Sequence, residues 1–134
     1  MARRRHLSRI VVMQTLFERE RRPCDEVESL ERNAGELGEM DRPFAEKLLL
    51  GIAEKESALR EAVSKHAPGW SLERMDPISR CVLLVGAYEL LFLKEAPPAV
   101  VMNEAIEIAK EYGTAESGKF VNGVLNAIAQ GTKD

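Results

Sequence analysis

The chain has 134 residues, of which 45% are hydrophobic and 31% charged, with two cysteines and a net charge of −3. This composition excludes a disordered chain, a disulfide scaffold and a membrane-spanning protein, and it predicts one cytoplasmic globular domain over residues 1–134. Residues 1–17 carry four arginines and no acidic residue, so residues 18–134 carry −7, which argues against non-specific coating of nucleic acid.

Helical periodicity runs through the N-terminal half of the chain. The apolar spacing predicts a first helix over about residues 3–19 and a second over 26–37, with Pro23 between them and Gly38 after the second. Asp41 is a capping residue for a long third helix that ends at Pro68-Gly69.

The C-terminal half is also helical by its pattern. Asp76-Pro77 starts a helix, apolar on most faces, that runs to about Lys94. Pro97-Pro98 starts the next helix, which Gly113 stops, and the last helix covers about 115–130. No strand pattern is present, so the predicted fold is all-α with six to seven helices, divided at the Trp70 connector into halves of about 1–68 and 69–134.

No sequence motif indicates an enzyme. Phosphate-binding loops, zinc-binding helices and nucleophile elbows are missing, so we predict neither catalysis, a cofactor nor a metal. Cys24 and Cys81 lack metal-site spacing, and Cys81 is expected in the core because it lies in an apolar helical run.

Two clusters of residues indicate RNA binding instead. The first is the arginine arm, defined as Arg3, Arg4, Arg5 and Arg9, whose guanidinium groups suit phosphates. The second lies on the last predicted helix, about 115–130 and the sixth in chain order (α6), and is named the α6 corner: Glu116, Lys119 and Phe120. It combines a carboxylate, a cation and a ring within about one helical turn. A solvated basic terminus and a ring at the edge of the core remain the alternatives.

Several ordered motifs resemble the NusB family of bacterial transcription antitermination factors. They span nearly the whole chain: Gln14-x-Leu16-Phe17 after the basic start, Trp70-x-x-x-Arg74, Tyr88-Glu89-Leu90-Leu91, Asn103-Glu104-Ala105-Ile106-Glu107-Ile108-Ala109-Lys110 and Gly118-Lys119-Phe120-Val121-Asn122-Gly123-Val124-Leu125. The last two motifs are the most specific.

The resemblance implies two packed three-helix bundles and a function in transcription. Members of the family bind boxA RNA with NusE, a ribosomal small-subunit protein, and help RNA polymerase read through terminators in ribosomal RNA operons. By position, the RNA-binding residues would be Arg3, Arg4, Arg5, Arg9, Gln14, Phe17, Glu116, Lys119 and Phe120. The NusE contacts would include Ser79, Arg80 and Tyr88.

Two other functions stay open at this point. A related helical module forms the N-terminal part of a ribosomal RNA cytosine methyltransferase, which also needs a catalytic domain that this sequence does not show. The second alternative is an RNA-binding or dimerising helical adaptor without antitermination activity, and homodimer formation is left open.

Overall fold

The computed structural model describes residues 2–21, 26–37 and 39–131, and this part of the chain contains six α-helices and no strand. The all-α prediction is therefore confirmed. In chain order the helices are α1 (Ala2–Arg21), α2 (Glu26–Leu37), α3 (Arg42–Lys65), α4 (Pro77–Tyr88), α5 (Pro98–Tyr112) and α6 (Ala115–Gly131). Pro23 and Gly38, which we expected to break the chain around α2, lie outside the described residues.

The N-terminal helices are joined by polar contacts as well as by apolar packing. Asn33 of α2 donates to the Thr15 hydroxyl of α1 at 3.4 Å, and Glu18 of α1 accepts from Ser29 and Arg32 of α2. The hydrogen bond from Ser29 lowers the pKa of Glu18, and the Arg32 charge adds to this effect.

Helix α3 begins where the sequence predicted it. The Asp41 side chain accepts from the Phe44 backbone amide at 3.1 Å, as an N-cap does. The start of α1 is fastened to the same place, because the Ser8 hydroxyl donates to the Asp41 carbonyl at 2.8 Å and the Asp41 amide donates to the Arg4 carbonyl at 3.2 Å. The arginine arm therefore lies beside the N-terminus of α3.

Helix α4 is the centre of the molecule and packs against α1, α3, α5 and α6. Asp76 caps it by accepting from the Ser79 amide at 2.9 Å and the Ser79 hydroxyl at 2.6 Å. Cys81 is fully buried within it, as expected, and burial raises the pKa of the thiol.

The helix predicted to run to about Lys94 is not α-helical over its last residues. The helix changes at Glu89 into a π-helical turn, Glu89–Leu93, which ends at Lys94 with φ +53° in the left-handed region. Within this turn Glu89 is buried and Phe92 is exposed.

Helices α5 and α6 form an antiparallel pair joined at Gly113 and Thr114. The Thr114 and Ser117 side chains each accept a hydrogen bond from the other's backbone amide at 3.2 Å, and this reciprocal pair fixes the start of α6. The core runs through all six helices, and the division into two bundles remains a prediction. None of the described helices is long and apolar enough to cross a membrane.

Candidate nucleic-acid interface

The α6 corner is an exposed structure. Lys119 and Glu116 form an ion pair at 3.6 Å, with 77% and 83% of their side chains exposed. Phe120 is partly buried against the edge of the core, and its ring meets Trp70 at a centroid distance of 5.8 Å and an interplanar angle of 63°. An edge-to-face aromatic pair of this kind leaves ring surface open beside a cation and a carboxylate.

A cleft of about 450 Å³ opens between this corner and the connector before α4. The rings of Trp70 and Phe120 form two of its walls. Apart from Met75, the other lining residues are polar or charged: Arg74, Asp76, Thr114, Glu116 and Ser117. Sequence reasoning placed Trp70 in the connector and in the Trp70-x-x-x-Arg74 motif but gave it no part in binding. That motif was a signal that could have drawn attention to it, because it sets a cation four residues after an aromatic ring.

The first turns of α1 present arginines to solvent in different degrees. Arg3 and Arg4 are exposed, and Arg4 reaches the Met40 carbonyl at 3.3 Å. Arg5 lies over the Phe44 ring at 4.3 Å and pairs with Asp41 and Glu95, both at 3.5 Å. The first two guanidinium groups are therefore the freest of the arm to meet a phosphate.

Arg9 is not part of this exposed surface, so the expectation that it meets a phosphate is corrected. The residue is 4% exposed. Its guanidinium donates to both oxygens of Glu89 at 2.7 and 2.9 Å and to Glu104 at 2.7 Å. Burial alone lowers the pKa of Arg9, but the bonds and charges of Glu89 and Glu104 outweigh it and raise the pKa.

His6 completes the ion-pair network around Glu104. Its Nδ1 lies 2.9 Å from the Glu104 oxygen that Arg9 does not use. Among the described residues, His6, Glu104 and Glu107 also bring ligand atoms within 4.8 Å of one another, close enough to hold a cation. Because both Glu104 oxygens already contact Arg9 or His6, we assign His6 and Glu104 to the ion-pair network of Arg9 rather than to a metal site.

Gln14 and Phe17 were also expected to bind RNA. Within the described part of the chain, no hydrogen bond or ring contact joins either side chain to the α6 corner. Gln14 is half-buried, and its buried side-chain oxygen has no hydrogen-bond partner in that part of the chain. Phe17 is half-buried with the Arg21 guanidinium 5.4 Å from its ring centre. The Phe17 ring is thus already covered in part by a cation.

The expected partner surface on α4 also changes. Ser79 is fully buried and serves the helix cap, so it cannot touch a second protein. Arg80 donates to both Glu20 oxygens at 2.8 and 2.5 Å and also to the Leu72 carbonyl at 2.6 Å, and the bonds to Glu20 raise its pKa. The expectation for Ser79 is therefore corrected, whereas Arg80, partly buried and bonded within the chain, stays a predicted contact.

Tyr88, the third predicted NusE contact, is partly exposed. It is half-buried and stacks on Phe92 at a centroid distance of 5.9 Å and an interplanar angle of 27°. Phe92 itself is 41% exposed, with the Lys55 ammonium 5.5 Å from its ring centre. Sequence reasoning placed Phe92 at the end of the helix that would carry the NusE surface but did not single it out as a contact, because helical periodicity does not show its exposure.

Comparison with known proteins, by family model and by individual relatives, gives the same family in each case. A family model described as "NusB family" matches residues 6–130. A transcription antitermination protein NusB from Methylacidiphilum infernorum is 46% identical over 69% of this chain, and the match spans 64% of that relative, somewhat under two thirds of its length.

Solved structures match over more of the chain. NusB from T. maritima has a TM-score of 0.83 and 42% identity, covering 94% of this chain and 90% of that one. A crystal structure of antitermination factors NusB and NusE in complex with dsRNA has a TM-score of 0.87 and 28% identity, covering 98% and 99%.

Proposed function

The chain belongs to the NusB family, and from this membership we propose that it is a transcription antitermination factor that binds boxA-type RNA together with NusE. In this role it joins the antitermination complex on RNA polymerase and promotes read-through in ribosomal RNA operons. The related NusB in complex with NusE and dsRNA, which shares this fold over nearly the whole chain, supports both partners.

The observation that carries the proposal is the α6 corner beside Trp70. An exposed cation, an exposed carboxylate and two aromatic rings in contact are the groups that bind a base and its phosphate. We propose that Phe120 stacks on a base, that Lys119 meets a phosphate and that Glu116 accepts a hydrogen bond from a base edge.

Arg3, Arg4 and Arg5 would hold phosphates at a second place on the same strand, without Arg9. The arm lies near the middle of α5, where His6 contacts Glu104, whereas the α6 corner follows the end of α5 at Tyr112.

For NusE we propose the surface that contains Tyr88 and the exposed Phe92. Aromatic side chains are enriched at protein interfaces, and the exposed Phe92 ring is therefore a candidate contact with another protein. Residues 18–134 carry −7 in total, so the protein as a whole would attract a basic ribosomal protein, which would in turn extend the positive surface available to RNA.

The test of this function is cooperativity between the two partners. NusE is expected to raise the affinity for boxA-type RNA at least about fivefold, which is about 1 kcal/mol of coupling. By linkage, RNA should tighten the contact with NusE by the same factor. Titration calorimetry of each partner, with and without the other, measures both numbers, and scrambled RNA is the control. RNA affinity that NusE leaves unchanged would favour the dimerising-adaptor alternative.

The arginine arm predicts a specific dependence on salt. Each phosphate contact on a single strand contributes about −0.7 to the slope of log affinity against log salt concentration. Replacing both Arg3 and Arg4 with alanine is therefore expected to flatten the slope by about 1.4. Arg60, which pairs with Glu56 at 3.0 Å on α3, is the control, and Arg60→Ala should leave the slope as it is. Equal slopes in all three proteins would remove the arm from the interface.

A further inference from the structure

The connector between α3 and α4 holds Trp70 in a fixed but exposed position. Gly69 has φ +84°, a left-handed conformation that glycine adopts without strain, and the Trp70 amide donates to the Ala67 carbonyl at 3.0 Å. Leu72 and Met75 anchor the following residues in the core. Trp70 nevertheless stays 50% exposed. Its exposure is therefore a property of an ordered segment.

The exposed indole forms one wall of the cleft described above. Its edge-to-face contact with Phe120 joins two rings into a continuous apolar corner. At about 450 Å³ the cleft has the volume of a small-molecule site, and one aromatic base is well within it.

The polar groups that line the cleft determine which RNA base it can bind. Asp76 and Glu116 supply carboxylate oxygens, which accept hydrogen bonds and donate none at neutral pH. Asp76 uses one lone pair on each oxygen for the α4 cap, and a carboxylate oxygen has two. An exocyclic amino group offers two N–H donors, one for each carboxylate, whereas uracil offers a single N–H, at N3.

The cations lie where a phosphate chain would pass. Arg74 is exposed and lines the cleft, and Lys119 is ion-paired with Glu116 on the opposite side. A base inside the cleft would therefore have a positive charge on each side for its flanking phosphates.

We propose that this cleft binds one unpaired RNA base carrying an exocyclic amino group, stacked on Trp70, with Arg74 on an adjacent phosphate. Trp70 and Arg74 thereby become binding residues that select adenine, cytosine or guanine over uracil. The inference rests on the proposed RNA-binding function, since the arm and the α6 corner bring the strand to the cleft.

Trp70 is the single tryptophan of the chain, so its fluorescence reports on the cleft directly. The probes are oligo(A), oligo(C) and oligo(U) of about twelve nucleotides, a length within the site sizes of single-strand binders. Excitation at the red edge of the indole band avoids absorption by RNA. Oligo(A) and oligo(C) are expected to quench the fluorescence more than oligo(U). Equal quenching by oligo(U) would overturn the selection of an amino group.

Variants separate stacking from simple packing. Trp70→Ala and Arg74→Gln are each expected to weaken oligo(A) binding, measured by anisotropy of labelled RNA, roughly fivefold or more. Trp70→Phe keeps a ring and should retain part of the affinity if the indole stacks. Leu50→Ala removes a different exposed hydrophobic side chain, on α3, and should leave the affinity unchanged. Melting curves of all four variants identify any that do not fold, and Trp70→Phe then decides the question.

The outcomes distinguish this inference from the proposed function. If boxA-type RNA binds cooperatively with NusE while Trp70 fluorescence and the Trp70→Ala affinity stay unchanged, the cleft inference fails and the antitermination function stands. If the unmodified protein binds no RNA even with NusE, the proposed function itself fails. Quenching by NusE alone, without RNA, would mean that the cleft takes a protein side chain, which also overturns the inference.

Discussion

Replacing Glu89 with alanine is expected to lower the free energy of unfolding by about 3–5 kcal/mol. Glu89 is 2% exposed and accepts two hydrogen bonds from Arg9 across 80 residues of sequence. Removing the carboxylate leaves the buried Arg9 guanidinium with one of its three bonds, the one to Glu104, and breaking a buried ion pair by removing one partner is costly. Urea denaturation followed by circular dichroism measures the change.

An exposed ion pair provides the matched control. Lys47 and Glu95 pair at 2.6 Å with 50% and 32% of their side chains exposed, so Lys47→Ala should cost less than about 1 kcal/mol. The double variant Arg9→Met with Glu89→Leu should be more stable than Glu89→Ala, because it removes both charges of the buried pair, while Glu104 keeps its contact with His6. It should also bind RNA normally, since Arg9 lies outside the proposed interface. A Glu89→Ala cost no larger than that of Lys47→Ala would contradict the role of this pair.

Replacing Phe120 with alanine is expected to weaken RNA binding by about 1–3 kcal/mol, roughly 5- to 150-fold, the usual worth of one aromatic–base stack. The fold should persist, because the buried stripe of α6 is formed by Val121, Val124, Leu125 and Ile128. Anisotropy titration of labelled boxA-type RNA in the presence of NusE measures the affinity, and far-ultraviolet dichroism checks the helices.

Two variants sharpen this test. Phe120→Tyr keeps the ring and should bind RNA nearly as well. Leu50→Ala removes an exposed hydrophobic side chain on α3, outside both proposed surfaces, and should bind RNA as the unmodified protein does. If Phe120→Ala instead lowers the melting temperature strongly and leaves the affinity of the remaining folded protein intact, the ring is structural and the stacking role is wrong.

The sequence by itself determined the helices and their starts. Asp41 and Asp76 were expected to cap α3 and α4, and both do so. These signals are local: a carboxylate bonds to an amide three residues later, and proline lacks the amide that a helix interior needs. The α6 corner could be found in the same way, because Glu116, Lys119 and Phe120 are neighbours on one helix.

Only the tertiary structure decided which of the predicted site residues are accessible. Arg3 and Arg9 look alike in the sequence, yet Arg9 is buried because α4 and α5 bring Glu89 and Glu104 to it from positions 80 and 95 residues later. Ser79 and Arg80 are likewise used by the fold. The cleft beside Trp70 depends on packing between a connector and α6, and no local rule of periodicity or capping encodes a contact between segments so far apart in the chain.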